Sequence, residues 1–231
     1  GLTTLDKDTV KVLATLRPDI IREVNLSGLT TLDQDTVELL VPLKVGKVDR
    51  NRELDLNGLK TIDKDTAKAL AKLKMRLHID LSGLTTLNKE IAIELAKFRG
   101  GSLNFDGLRS LNKETVQSLG SLDVFTLYLN GLTTLDKDAA KALASLKVET
   151  LYLNGLTTLD KDTAKALASF QGEELYLQGL VSFNVDTTEA LATFEGDITL
   201  CCEKADYFKK KSPFLFPFGK DSPYPVINKR W

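Results

Sequence analysis

Residues 151–174 read LYLNGLTTLDKDTAKALASFQGEE, and this stretch decides the fold. Leu151-Tyr152-Leu153-Asn154 alternates apolar and polar residues, the two-residue period of a half-buried strand. Gly155 follows, where the backbone can leave that strand. Leu156 and Leu159 flank Thr157-Thr158 and are expected to point back inside. Asp160 stands at a helix N-cap position, with Asp162 in the first turn beside the positive helix end. Ala164, Leu167 and Ala168 recur at helical spacing and Phe170 closes the turn, so Lys161–Ser169 is expected to be a short helix with a small-residue inner face. A helix this short is marginal alone and needs the strand layer to pack against.

The same phrase recurs from Gly1, Gly28, Gly58, Gly83, Gly107, Gly131, Gly155 and Gly179, at intervals of 27, 30, 25, 24, 24, 24 and 24 residues. A fixed period near 24 marks a solenoid, in which each unit buries its apolar face against its neighbours. Parallel strands are expected at residues 24–27, 54–57, 79–82, 103–106, 127–130, 151–154 and 175–178, all in one sheet. Stacked strands lie about 4.8 Å apart, whereas packed helices need roughly 8–10 Å. The stack must therefore bend with its strands on the inside. The fold class is α/β, a curved solenoid with parallel strands on the concave face and short helices on the convex face. The linkers Arg17–Glu23 and Lys44–Glu53 are irregular, and the second should bulge at the surface.

The shared pattern is L-x-L-x-G-L-T-T-L-D/N-K-D/E-x-A-x-x-L-A-x-L/F. Over residues 1–200 it resembles bacterial leucine-rich repeat proteins, especially a variant with an L-x-L-x-G-L-T-x-L core. The resemblance implies a leucine-rich-repeat solenoid over 1–200 and a surface or secreted bacterial location. Where the standard pattern places asparagine, this chain has Leu156, so the usual buried asparagine ladder is not expected. Polar residues stand just before each glycine instead: Ser27, Asn57, Ser82, Asp106, Asn130, Asn154 and Gln178. They can form a substitute ladder or face water, and the second reading is preferred.

Residues 201–231 break the rhythm. They hold four of the six prolines and seven of the sixteen Phe, Tyr and Trp residues. Proline at that density excludes helix and strand interiors. This tail is read as a cap over the last repeat, with Phe214, Phe216 and Phe218 suited to the task; the other reading is a segment that docks another chain. Gly1 falls inside a repeat with no strand before it, so the chain reads as a piece of something longer.

The net charge of −1 conceals a split. The tail carries seven Lys/Arg and three Asp/Glu, a net of +4, which leaves −5 on residues 1–200. An acidic body argues against nucleic acid as the main ligand. No apolar run is long enough to span a membrane. Cys201 and Cys202 are adjacent, a strained geometry for a bridge, and form no metal site by spacing with His78, the single histidine. His78 leads into the Ile79-Asp80-Leu81 strand with no nucleophile implied by the pattern, and reads as a surface residue. The repeated Asp-Lys-Asp suggests calcium, but the intervening lysine opposes it and the acids suit helix N-termini. The Thr-Thr pairs would stack into hydroxyl files of the ice-binding kind. Curvature and the substitutions Lys60, Arg109-Ser110 and Val181-Ser182 spoil such an array. No catalytic residue, cofactor or metal is assigned, and the chain is read as non-enzymatic.

The concave face is more informative. If the strand leucines point inward, Asn25, Asp55, Asp80, Asn104, Tyr128, Tyr152 and Tyr176 point outward. One end of the arc is then acidic and the other carries three tyrosines on successive rungs. Tyrosine offers rigid apolar area with a hydroxyl tip, the composition enriched in binding hot spots. The candidate partner-binding residues are Tyr128, Tyr152 and Tyr176, with Thr126, Thr150, Asn130, Asn154 and Gln178 around them. The expected partner is a protein or peptide on this face. A rival account is that the rings only record duplicated repeats. The alternative function is a structural or surface-array protein assembled through its tail.

Overall fold

The computed structural model describes residues 23–40, 52–73, 77–182, 184–200 and 226–227. Among them strands and helices alternate: β1 (Glu23–Asn25), α1 (Gln34–Leu40), β2 (Arg52–Asp55), α2 (Lys64–Ala71), β3 (Leu77–Asp80), α3 (Lys89–Leu95), β4 (Arg99–Asn104) and α4 (Lys113–Ser118). The series continues with β5 (Asp123–Tyr128), α5 (Lys137–Ala144), β6 (Lys147–Tyr152), α6 (Lys161–Leu167), β7 (Glu174–Tyr176), α7 (Val185–Leu191), β8 (Asp197–Thr199) and β9 (Val226–Ile227). The strands form one sheet in chain order. β1 to β8 are parallel, and β9 pairs antiparallel with β8. This is an α/β repeat solenoid, curved with its strands inside. No described helix is long and apolar enough to cross a membrane.

The register is that of the repeat: Leu103, Leu127, Leu151 and Leu175 are successive partners. The strands begin earlier than the sequence pattern suggests and end two residues earlier. In β6 the ladder extends one bond past the strand, from Leu153 N to Tyr176 O at 2.9 Å, and then Leu156 N closes a turn onto Leu153 O at 3.1 Å. That turn takes the pre-glycine residue out of the strand. β8 is an addition: DITL at 197–200 lacks the glycine phrase but still adds a rung.

The helices start where the pattern places them. Asp63, Asn88, Asn112, Asp136, Asp160 and Asn184 have extended backbones. Each accepts the N–H three residues on, at 2.7–2.9 Å. Such a cap contributes about 1 kcal/mol. Thr66 and Thr187 point inward and donate to Leu32 O and Leu159 O of the preceding repeat, at 3.0 and 3.1 Å. At these two positions the threonine is a buried tie between units, whereas Thr163 donates to Asp160 Oδ2 of its own repeat at 3.0 Å.

Gly155 is required by close approach. No described glycine has a positive φ. A Cβ at residue 155 would strike Asn130 O and lie 2.7 Å from Leu132 O. Each turn therefore nests on the backbone of the turn before it. Beneath the turns runs one continuous core in which Leu151, Leu153, Leu156 and Leu167 are fully buried. Phe170 and Phe194 stack at 6.0 Å at the return to the next strand.

Most of the tail, residues 201–225 and 228–231, lies outside the described residues, as do Cys201, Cys202, the first repeat and most of both irregular linkers. The cap and docking readings of the tail both fall there.

Candidate functional site

Six strands, β2 to β7, build the outward face, and each offers one residue to each of three rows. Register places Glu53, His78, Ser102, Thr126, Thr150 and Glu174 side by side. Two residues on, Asp55, Asp80, Asn104, Tyr128, Tyr152 and Tyr176 form the second row. The pre-glycine residues form the third. Between the rows the leucines point inward, so the faces are as the alternation dictates.

The three tyrosines stack. Tyr128 and Tyr152 have ring centroids 4.6 Å apart at 19°, and Tyr152 and Tyr176 are 4.1 Å apart at 10°. Their ring faces are therefore spent largely on one another, and what the stack offers outward is its edges and hydroxyls. Tyr176 OH lies 3.5 Å from Glu174 Oε2, to which the Thr150 hydroxyl donates at 3.1 Å. Burial pushes all three phenols up. For Tyr152, burial, a hydrogen bond to Tyr176 and the charge of Glu174 push it from 10.0 up to about 12.

That shift sets a pH dependence. Folded phenols keep protons that unfolded ones release, so this contribution to stability is full below pH 10.0 and is lost as the pH rises toward about 12. Denaturation midpoints across this window should fall more steeply for the wild type than for a variant with Phe at 128, 152 and 176. Parallel curves would mean that the rings carry no shifted phenol.

The third row corrects the preference for water-facing residues. Asp106 Oδ1 accepts from Asn130 N at 2.7 Å, Asn130 Oδ1 from Asn154 N at 3.0 Å, and Asn154 Oδ1 from Gln178 N at 2.9 Å. The substitute ladder exists in this half of the chain. In the other half the same backbone N–H finds its acceptor within its own rung. Asn25, Asp55, Asp80 and Asn104 accept from the N–H two residues on, at 2.8–3.1 Å. The changeover has a simple cause: the second row switches to tyrosine at 128, and a phenol cannot make that local turn.

His78, read as a surface residue, stands on the outward face in contact with its neighbours. It is partly covered, at 27% side-chain exposure. Its Nδ1 meets Ser102 Oγ on the next rung, and its ring stands edge-on to Tyr128 at 5.6 Å and 86°. The signal was available: 78 and 102 are 24 residues apart. Glu53 Oε1 is 3.9 Å from Nε2, beyond hydrogen-bond reach, and Ser102 is only 8% exposed. At this end of the row His78–Ser102 is a single hydrogen bond, separate from the Thr150–Glu174 bond at the other end.

On the helix side the Asp-Lys-Asp phrase makes a second ladder. Lys89–Glu114 at 2.9 Å, Lys113–Asp138 at 3.3 Å, Lys137–Asp162 at 2.9 Å and Lys161–Asp186 at 3.6 Å each join one repeat to the next. These pairs are exposed, so each is weak and screened by salt. Among the described residues, no group of three His, Cys, Asp or Glu side chains is placed to hold a metal ion. No family model matches the chain, and no curated protein matches it in sequence.

Proposed function

We propose that this chain is a non-enzymatic binding module of the bacterial leucine-rich-repeat kind, which recognises a protein or peptide on its concave sheet. The observation that carries the reading is the tyrosine stack on β5, β6 and β7, pre-ordered and facing out. Rings already fixed by one another lose little rotamer entropy when a partner arrives. Thr126 and Thr150 on one side, and Asn130, Asn154 and Gln178 on the other, frame the stack with donors and acceptors. The test is capture of a partner from the native source, followed by titration. Replacing Tyr128, Tyr152 and Tyr176 with serine should weaken that complex at least about tenfold, as expected for a hot-spot cluster. Undiminished binding by a folded triple variant would move recognition to the tail or the helix side.

A further inference from the structure

Three turns of the array carry an asparagine followed by glycine: Asn57-Gly58, Asn130-Gly131 and Asn154-Gly155. Such a step is chemically weak. Glycine has no side chain to shield its main-chain nitrogen, which can attack the carbonyl carbon of the side chain before it. This is one reason asparagine is a thermolabile residue. By sequence the three sites are alike, each reading Asn-Gly-Leu. Their turns are alike as well. Leu59 N, Leu132 N and Leu156 N each close onto the carbonyl three residues back at 3.1–3.2 Å. Each glycine is nested on main-chain oxygens of the preceding turn.

The side chains are not held alike. Asn130 Oδ1 accepts from Asn154 N at 3.0 Å, and Asn130 Nδ2 donates to Asp106 Oδ2 at 3.1 Å. Asn154 Oδ1 accepts from Gln178 N at 2.9 Å. Either side chain must leave such a bond before its carbonyl carbon can meet the glycine nitrogen. Asn57 is exposed, and its side chain makes no hydrogen bond among the described residues. The cause lies on the next rung. Ser82 N, the amide that Asn57 would otherwise receive, is already held by Asp80 Oδ1 at 2.8 Å. Asn57 therefore stands outside the ladder that begins at Asp106.

We infer that Asn57-Gly58 is a modification site, at which the side-chain amide is lost without an enzyme, ahead of Asn130 and Asn154. Water is the only co-reactant. Gly58 N gives up its proton to base and bonds to Asn57 Cγ. The Cγ–Nδ2 bond breaks, its electron pair leaves with the nitrogen, and a proton from water completes ammonia. Water then opens the cyclic imide at either carbonyl and leaves aspartate or isoaspartate. Both products add a carboxylate to the concave face two residues from Asp55, which holds the Asn57 N–H at 3.1 Å. Isoaspartate also inserts a carbon into the main chain of a turn packed on Ser27 O and Leu29 O. The site is independent of what the sheet binds.

The test incubates the whole chain in mildly alkaline buffer, quenches samples in acid and follows the three Asn-Gly peptides by mass after digestion. Loss of the amide should be at least about fivefold faster at Asn57 than at Asn130 or Asn154, the factor for about one net hydrogen bond. In denaturant the three rates should converge, because the local sequence is shared. Equal rates in the folded chain would overturn the inference, as would faster loss at Asn130 or Asn154, or an Asn57 that reacts only in denaturant. Asp106→Ala removes the acceptor of Asn130 Nδ2 and N. It should quicken loss at Asn130 and leave Asn154 slow; an unchanged Asn130 would overturn the ladder as the protecting feature. If both quicken, the variant has loosened, and the wild-type ratio decides alone.

Discussion

Leu153→Ala is expected to lower the unfolding free energy by about 2–5 kcal/mol, the range for emptying a fully buried leucine site. Leu153 has no exposed surface and lies between the sheet and α6 in the continuous core. No neighbour can collapse into the space, because the repeats on both sides hold leucines of their own at the same depth. Its immediate neighbour Tyr152 faces outward. As an isolated exposed ring on a strand, its loss would cost about 1 kcal/mol or less. The stack raises that figure, since Tyr152 sits between two rings at 4.6 and 4.1 Å. With each ring pair worth about 0.5–1.5 kcal/mol, Tyr152→Ala should cost about 2 kcal/mol. Chemical denaturation of both variants measures the order. A clearly larger loss at Tyr152 than at Leu153 would reverse the assignment of the strand faces.

Gly155→Ala is expected to be worse than its single methyl group suggests. The added Cβ meets Asn130 O and Leu132 O, both main-chain atoms of the preceding turn. A clash with a flexible side chain can be relieved by rotation, but this one can be relieved only by separating two repeats. Overpacking a core typically costs about 1–3 kcal/mol, and a backbone obstacle places this variant at or above the upper end. Gly120→Ala is the control: its nearest obstacle is the single atom Gln117 O at 2.9 Å, within its own repeat. Thermal melts of the two variants should differ clearly, with Gly155→Ala also losing cooperativity as the array divides at the forced seam. A loss below about 1 kcal/mol at Gly155 would show that the turns are not nested as described.

Periodicity made most of the architecture legible. The 24-residue interval alone places Tyr128, Tyr152 and Tyr176 on one row, and Asp160 marks its helix start by residue type. Spacing says which residues are neighbours but not which oxygen receives a given N–H. The pre-glycine row is ambiguous for that reason: its N–H can be held by the residue two before it, as at Asn57, or by the rung before, as at Asn130. Only the loss of the local acceptor at Tyr128 decides between them. The same gap hid the bond from His78 to Ser102, although both stood in the register. β8 was missed because DITL has no glycine phrase, yet Ile198 is drawn onto the open edge of β7 as Leu175 is drawn onto β6. A strand edge recruits by backbone, not by motif.

The changeover at Tyr128 divides the array into two differently tied halves. From β1 to β4 each turn holds its own pre-glycine amide, so that one bond survives when the rung before it opens. From Asp106 onward each turn's amide is held by the turn before it. When a rung in that half opens, the next one loses a side-chain acceptor in addition to its ladder bonds. The half that carries the tyrosines is therefore tied by one more row of cross-rung bonds than the acidic half, where the same amides are held inside each rung.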